Sequence, residues 1–428
     1  MHDIKQIRQN PERFLTALNR RGESHALDKL LLLEKDRRDI STTLDDMRAK
    51  RNADSKNIGS IRKSGGDASE LEREMRSLGD EIQSGEVKLR EIEAEVDQLL
   101  LNIPNLPTDS TPDGKDATSN VVVRSWGAPI KHSFEALDHL DLAEKLDILD
   151  FKRGGKITGS GFPVWKGAGA RLERSLINLF LDTQTGKHGY REMMTPFAAS
   201  RESMRATGQI PRLEDDMYHC ESEDIFLIPT SEVTLVNMHR GEILNESELP
   251  IRYTAYSPCF RREAGAYGKD TRGFLRVHQF NKVEMVRFEK PENSYTALEE
   301  IVGHAESLLQ MLELPYRVLR LCAGDMGFNA AACYDLEVWS PVVGKWLEVS
   351  SCSNCEDFQA RRASIKFRRN ATGKTEYVHT LNGSGLATSR ILVAIMENFQ
   401  TEEGTLVIPP ILRPYMDGKT QINFDGSR

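Results

Sequence analysis

Phe260-Arg261-Arg262-Glu263, a Gly-containing stretch to Arg272, and then Phe274-Leu275-Arg276-Val277-His278-Gln279-Phe280 with Val283-Glu284-Met285 read as two β-strands joined by a long flexible loop. Aromatic and β-branched residues in such runs favour a pleated, half-buried surface. Arginines crowd this hairpin. A guanidinium stays charged and offers a forked donor array that fits phosphate oxygens, so Arg261 at a strand end and Arg276 after the loop suit a triphosphate. Phe280, four residues past Arg276 and on the same strand face, suits stacking on a base. No G-x-x-x-x-G-K-S/T run occurs anywhere in the chain. Nucleotide binding therefore needs an antiparallel-sheet platform in place of a glycine loop.

Outward from the hairpin, Val121-Val122-Val123, Ile225-Phe226-Leu227-Ile228 and Leu347-Glu348-Val349-Ser350 read as further strands. Helical patterns stand at Arg171 to Thr183, Ser231 to His239, Tyr295 to Leu312 and Ser384 to Phe399. This mixture predicts an α+β domain over 121–428. Before it, Ile103-Pro104-Asn105-Leu106-Pro107 and the Asp-, Ser-, Pro- and Gly-containing run to Asp116 predict a linker over 106–120.

The first 105 residues have a different grammar. Leu30, Leu33, Arg37, Ile40, Leu44, Met47 and Arg51, and after a break with Gly59, Gly65 and Gly66, Leu71, Met75, Leu78, Ile82, Gly85, Leu89, Ile92, Val96 and Leu99 alternate by three and four. Such seams predict an antiparallel two-helix coiled-coil arm over about 27–100. Arg37 and Arg51 are expected to snorkel at the seam edge, and Gly85 leaves a gap or a close approach. Arg48, Lys50, Arg51, Lys56, Arg62 and Lys63 face the single acid Asp54 between positions 48 and 63, which predicts a basic far end that meets a polyanion.

The chain as a whole has a formal net charge of −8, which argues against indiscriminate coating of nucleic acid. No apolar run is long enough to span a bilayer, and Met1 to Asn10 has no hydrophobic stretch, so a cytoplasmic protein without a membrane partner is expected. Six irregularly spaced cysteines read as reduced thiols. Cys352-x-x-Cys355 has no second ligand pair nearby, so no zinc is expected. His278 reads as a structural histidine and not as a base.

The hairpin around Arg261 resembles motif 2 of the class II aminoacyl-tRNA synthetases. Asn382-Gly383-Ser384-Gly385-Leu386-Ala387-Thr388-Ser389-Arg390, read as opening a helix and followed by Ile408-Pro409-Pro410, resembles their motif 3, and Gly167 to Pro196 their motif 1. Within the class, Thr230-Ser231-Glu232-Val233, the run Cys352 to Arg362 and the N-terminal hairpin are similar to the seryl-tRNA synthetase family of the bacterial type. This resemblance covers essentially the whole chain. It implies a class II antiparallel-sheet catalytic domain at 121–428 and a tRNA-binding domain at 1–105.

By position, the resemblance implies that Arg261 holds the α-phosphate and the serine carboxylate, that Glu263 and Phe280 bind adenine, and that Arg390 holds the γ-phosphate. Arg262, Arg276, Val349 and Ser350 complete the ATP set. Glu348 and Ser351 match the Mg²⁺ positions, and Arg261, Arg390 and Glu348 are the expected catalytic residues. Thr230, Ser231, Glu232, Glu284 and Ser384, with Arg261, are expected to bind L-serine. The implied partners are tRNA(Ser), the selenocysteine tRNA(Sec), and a second copy of the chain bound through motif 1. Two other functions share parts of this pattern. An amino-acid:carrier-protein ligase shares the catalytic core but lacks the arm. A non-catalytic RNA-binding paralogue keeps the arm and loses Arg261, Glu263, Glu348 and Arg390, all of which are present here.

Overall fold

A computed structural model describes residues 1–24, 27–264 and 273–424, so the loop expected to join the two strands of the hairpin lies mostly outside the described residues. The chain divides into two compact units, Met1–Pro104 and Asn105–Arg428.

In the first unit, two short helices, Ile4–Gln9 and Pro11–Arg20, bury Ile7, Phe14 and Leu18. Two long ones follow, α1 (Leu27–Lys63) and α2 (Ser69–Asn102). Their ion pairs run in opposite numerical order: Lys29 with Glu95, Arg48 with Glu86 and Arg62 with Glu72. The helices are therefore antiparallel neighbours along their whole length, about 55 and 51 Å at 1.5 Å per residue. Leu30, Leu44, Ile82 and Val96 lie buried in the seam. Gly85 has a packing reason: a methyl group on it would stand 2.7 Å from Leu44 Cδ2.

Two readings of the arm change. Gly59 does not break the first helix, which runs to Lys63, and the turn is confined to residues 64–68. Arg51 is exposed, as a snorkelling arginine at the seam edge is. The basic residues are consequently spread over the outer ~22 Å of α1 and are not gathered at the tip; among them Arg48 is paired with Asp45 and Glu86, and Arg62 with Glu72.

The second unit is built on an eight-stranded sheet. Its strands, in chain order, are β1 (Val121–Trp126), β2 (Arg191–Glu192), β3 (Ile251–Phe260), β4 (Gln279–Glu289), β5 (Tyr316–Arg320), β6 (Ala332–Ser340), β7 (Lys345–Asn354) and β8 (His379–Ala387). They lie side by side as β1-β5-β6-β7-β8-β4-β3-β2. Every neighbouring pair is antiparallel except the short β2, which runs parallel to β3 at the edge. Helices α3 (Gly167–Gly186), α4 (Ser294–Met311) and α5 (Thr388–Asn398) bury Leu176, Ile301 and Ile395 against Val283, Met285 and Leu381 of the sheet. Because side chains alternate along a strand, this leaves Phe280, Lys282 and Glu284 of β4 on the opposite face. Glu173 of α3 joins three segments: its Oε1 accepts from Asn281 of β4 and Thr388 of α5, each at 2.6 Å.

The segment read as a linker, 106–120, and Asn105 just before it are fastened to this unit. Asn105 is buried and its backbone N–H donates to Phe328 O, while Thr108 N donates to Ala331 O. Two strand readings also change. β3 ends at Phe260, so Arg261, Arg262 and Glu263 lie beyond it, with Glu263 at φ 52°. β4 begins only at Gln279, so Arg276 is not on the strand face that carries Phe280. Ser384 lies within β8 and not at the start of a helix, which opens four residues later at Thr388.

Candidate active site

The polar face of the central strands floors a cavity of about 360 Å³. Two β-bulges aim residues into it. Glu284 pairs with Ser384 but Lys282 with Ala387, so β8 carries one extra residue and presents both Ser384 and Ala387 to the cavity. Across β6 and β7, Glu348 pairs with Glu337 but Ser350 with Leu336, which makes Val349 the extra residue. In a regular strand Glu348 and Ser351 would point to opposite faces; the bulge lets both line the cavity.

At one end of the cavity is a buried carboxylate pair. Glu284 is fully buried and Glu232 nearly so. Glu232 Oε1 accepts from Gln359 Nε2 at 2.6 Å, and Gln359 is held in turn by Thr380. Burial first, and the nearby Glu284 second, push the Glu232 carboxyl up to about 7. Glu284 Oε2 lies 2.5 Å from Lys282 Nζ and accepts from Thr230 Oγ1 at 3.3 Å. Its Oε1 is buried and has no hydrogen-bond partner among the described residues. Buried polar atoms are rarely left this way, and such an orphan in a cavity marks a ligand position.

Arginines hold the rest. The Arg261 guanidinium stands 5.2 Å from the centre of the Phe280 ring. Arg276 donates to Glu263 Oε2. Arg390, in the first turn of α5, donates to Leu275 O and Glu348 O, with Glu348 Oε2 at 3.5 Å. Three guanidiniums beside a half-buried aromatic ring make a site for a polyanion that carries a flat base. One carboxylate and one hydroxyl, Glu348 and Ser351, are hard oxygen donors of the kind Mg²⁺ takes when phosphates and water supply its remaining ligands. No cluster of three or more metal-binding acids, histidines or cysteines occurs among the described residues.

Of the residues singled out from the sequence, Thr230, Glu232, Arg261, Glu263, Arg276, Phe280, Glu284, Glu348, Val349, Ser350, Ser351, Ser384 and Arg390 line this one cavity. Ser231 does not: it is buried, with its hydroxyl directed at Ala255 O. Arg262 points away and donates to Asp215 O. His278 is also outside, its ring stacked on Phe162 and bonded to Arg261 O. Burial pushes the Cys355 thiol up and the Cys352 thiol to about 12, so both stay protonated at neutral pH. The sequence reading missed Lys282, Gln359 and Asn382. Lys282 was legible, since it stands between Phe280 and Glu284 at the two-residue period of one strand face; Gln359 reaches Glu232 from a separate helix and left no local signal.

An antiparallel sheet with a cavity of this kind, its arginines drawn from strand ends and from the first turn of a helix, defines the catalytic core of a class II aminoacyl-tRNA synthetase. The model of the tRNA synthetase class II core domain (G, H, P, S and T) matches residues 217–399, and that of the seryl-tRNA synthetase N-terminal domain matches residues 1–107. The serine–tRNA ligase of Chlorobaculum parvum is 51% identical over 421 residues, 97% of this chain and 98% of the relative. Seryl-tRNA synthetase from Pyrococcus horikoshii, solved complexed with ATP, superposes with a TM-score of 0.93 at 39% identity, covering 99% of each chain. Cytoplasmic serine–tRNA ligase from Naegleria fowleri, in complex with AMP, gives 0.86 at 31% identity over 97% of each. The chain belongs to the seryl-tRNA synthetase family.

Proposed function

We propose that the cavity binds ATP and L-serine together, forms seryl-adenylate and passes the seryl group to tRNA(Ser), with tRNA(Sec) a second acceptor where the host makes it. One observation carries the reading: a single cavity joins a cluster of guanidiniums to a buried carboxylate with an open oxygen. The first suits a triphosphate and the second an ammonium or hydroxyl. Arg261 and Arg390 hold the phosphates, and Phe280 and Glu263 the adenine. Thr230, Glu232, Glu284 and Ser384 hold the ammonium and hydroxyl of serine, whose carboxylate is brought to the α-phosphorus. Alanine is rejected because it would leave those buried polar groups unpaired.

The serine carboxylate attacks the α-phosphorus and pyrophosphate leaves; the terminal adenosine hydroxyl of the tRNA then attacks the carbonyl carbon of the mixed anhydride, and AMP leaves as the ester forms. Neither step needs a protein nucleophile, and the chain's contribution is positioning and charge stabilisation. Mg²⁺ held by Glu348 and Ser351 would neutralise phosphate charge. The exposed cations of the arm, Lys50, Arg51 and Lys56, contact the tRNA backbone. The Gly167–Pro196 segment joins two copies: β2 is an open sheet edge, and Met194 just beyond it is 94% exposed.

Serine-dependent ATP–pyrophosphate exchange without RNA tests the reading. Wild type should exchange with serine and not with alanine, and Arg261→Ala should lose about a hundredfold or more while remaining folded. Near-normal exchange by that variant refutes the assignment.

A further inference from the structure

Lys282 belongs to the cavity but to none of the roles given so far. It is 6% exposed, two residues before Glu284 on β4, and both side chains face the same way. Its Nζ lies 2.5 Å from Glu284 Oε2 and donates to Thr230 Oγ1 at 2.9 Å. Both partners are groups assigned above to the amino acid. The lysine thus occupies one oxygen of Glu284, and the other, Oε1, is the buried atom without a partner.

We infer that Lys282 is a positioning residue for amino-acid recognition: its ammonium claims Glu284 Oε2 and Thr230 Oγ1, pins the carboxylate, and leaves Oε1 as the open oxygen of Glu284 for the substrate's ammonium or hydroxyl. The inference rests on the reading of the cavity as a serine site. Charge balance supports it. When both carboxyls are ionised, Glu232 and Glu284 against Lys282 leave this end one negative charge in excess, which one substrate ammonium offsets. Without the lysine the two buried carboxyls would lose a nearby cation, which favours the protonated form of the pair over the form that binds an ammonium. Of the other ionisable groups around them, the Arg261 guanidinium also acts on Glu232 but is given above to the substrate carboxylate and α-phosphate, and Cys259, Cys352 and Cys355 are buried thiols that stay neutral.

Lys282→Met removes the charge at nearly constant length, and Lys282→Arg keeps it. Serine-dependent exchange measured from pH 6 to 8 gives the KM for serine, and the KM for ATP in the same protein reports on the rest of the cavity. Lys282→Met should raise the serine KM about tenfold or more, the size of one lost charge-assisted hydrogen bond, and leave the ATP KM within roughly twofold. Its serine KM should also climb more steeply than the wild-type value as the pH falls, because the carboxyl pair has lost a nearby cation. Lys282→Arg should restore a flatter profile. Should Lys282→Met fail to fold, Lys282→Gln is read in the same way. A serine KM equal to wild type, or a KM raised equally for serine and ATP without pH dependence, overturns the inference and leaves the cavity's reading intact. A wild-type chain without serine-dependent exchange overturns that reading itself.

Discussion

Glu34 in the N-terminal unit and Glu284 in the catalytic unit are both buried, 1% and 0% exposed, but their oxygens are filled differently. Glu34 Oε2 accepts from Arg37 Nε at 2.7 Å, and Oε1 accepts from Arg37 at 3.1 Å and from Arg8 at 3.2 Å. Glu284 keeps Oε1 empty and stands in the same cavity as a second buried carboxyl, Glu232. A carboxylate buried for stability is saturated by its own chain, since an unpaired charge in the interior costs several kcal/mol. One buried for a ligand is left incomplete, and the fold carries that cost until the ligand arrives.

The hardest blow to this contrast comes from Glu284→Gln. Serine-dependent exchange should fall by about a hundredfold or more, as a site built around an ionised acceptor loses it. Alone it should also lower the thermal midpoint, because the buried Lys282 ammonium loses its partner; with Lys282→Met added, the charge pair is removed as a unit and the midpoint should return to wild type or above. A double variant that stayed as unstable as Glu284→Gln would show that Glu284 is structural, as Glu34 is.

Glu34→Gln is the mirror experiment. Arg37 is partly exposed and can turn to water, so the loss should be about 1–2 kcal/mol of arm stability, read from hydrogen exchange of the α1 amides in the full chain. Exchange of pyrophosphate should not change.

The pH responses should have opposite signs. The Arg37 hydrogen bond holds the Glu34 carboxyl below its ordinary value of 4.5, so its contribution is complete above that pH and is lost as the pH falls through the folded value. Glu232 is raised from 4.5 to about 7. Between those values the folded state holds more protons than the unfolded one, so its contribution falls as the pH rises from about 4.5 to about 7. Denaturation curves across pH 5 to 8 should flatten in Glu232→Gln and keep their shape in Glu34→Gln.

Period and spacing made much of this legible. The three-four alternation located both arm helices because packing there is local and repeats. Arg261, Phe280, Glu284 and Arg390 could be placed in one site by resemblance to motifs. What stayed hidden was set by tertiary context. The bulge at Val349 that turns Glu348 and Ser351 to one side has no signature in the chain, and the strand read through Phe274 to His278 starts later because those residues are held from outside β4: His278 N donates to Gly161 O, and Arg390 to Leu275 O. The spread of the basic patch followed from one misplaced stop: glycine weakens a helix by about 1 kcal/mol, which does not break one that is packed against a partner.

That same magnitude makes the finest test of how tightly the arm is packed. Gly79 and Gly85 both lie in α2. Nothing stands within 4 Å of a methyl placed on Gly79, while one placed on Gly85 meets Leu44 Cδ2 at 2.7 Å. Both substitutions to alanine gain helix propensity, about 0.5–1 kcal/mol. For Gly79→Ala nothing opposes the gain, and the arm should become more stable by that amount. For Gly85→Ala the methyl enters space filled by Leu44, which is 2% exposed and has little room to yield, and overpacking of about 1–3 kcal/mol should cancel or exceed the gain. Adding Leu44→Ala to Gly85→Ala should then cost less than the sum of the two single changes, because the new methyl occupies part of the space that the leucine vacates. Equal stabilisation by Gly79→Ala and Gly85→Ala would mean that the helices move apart freely at this point, and the glycine would then owe its place in the seam to something other than the leucine opposite.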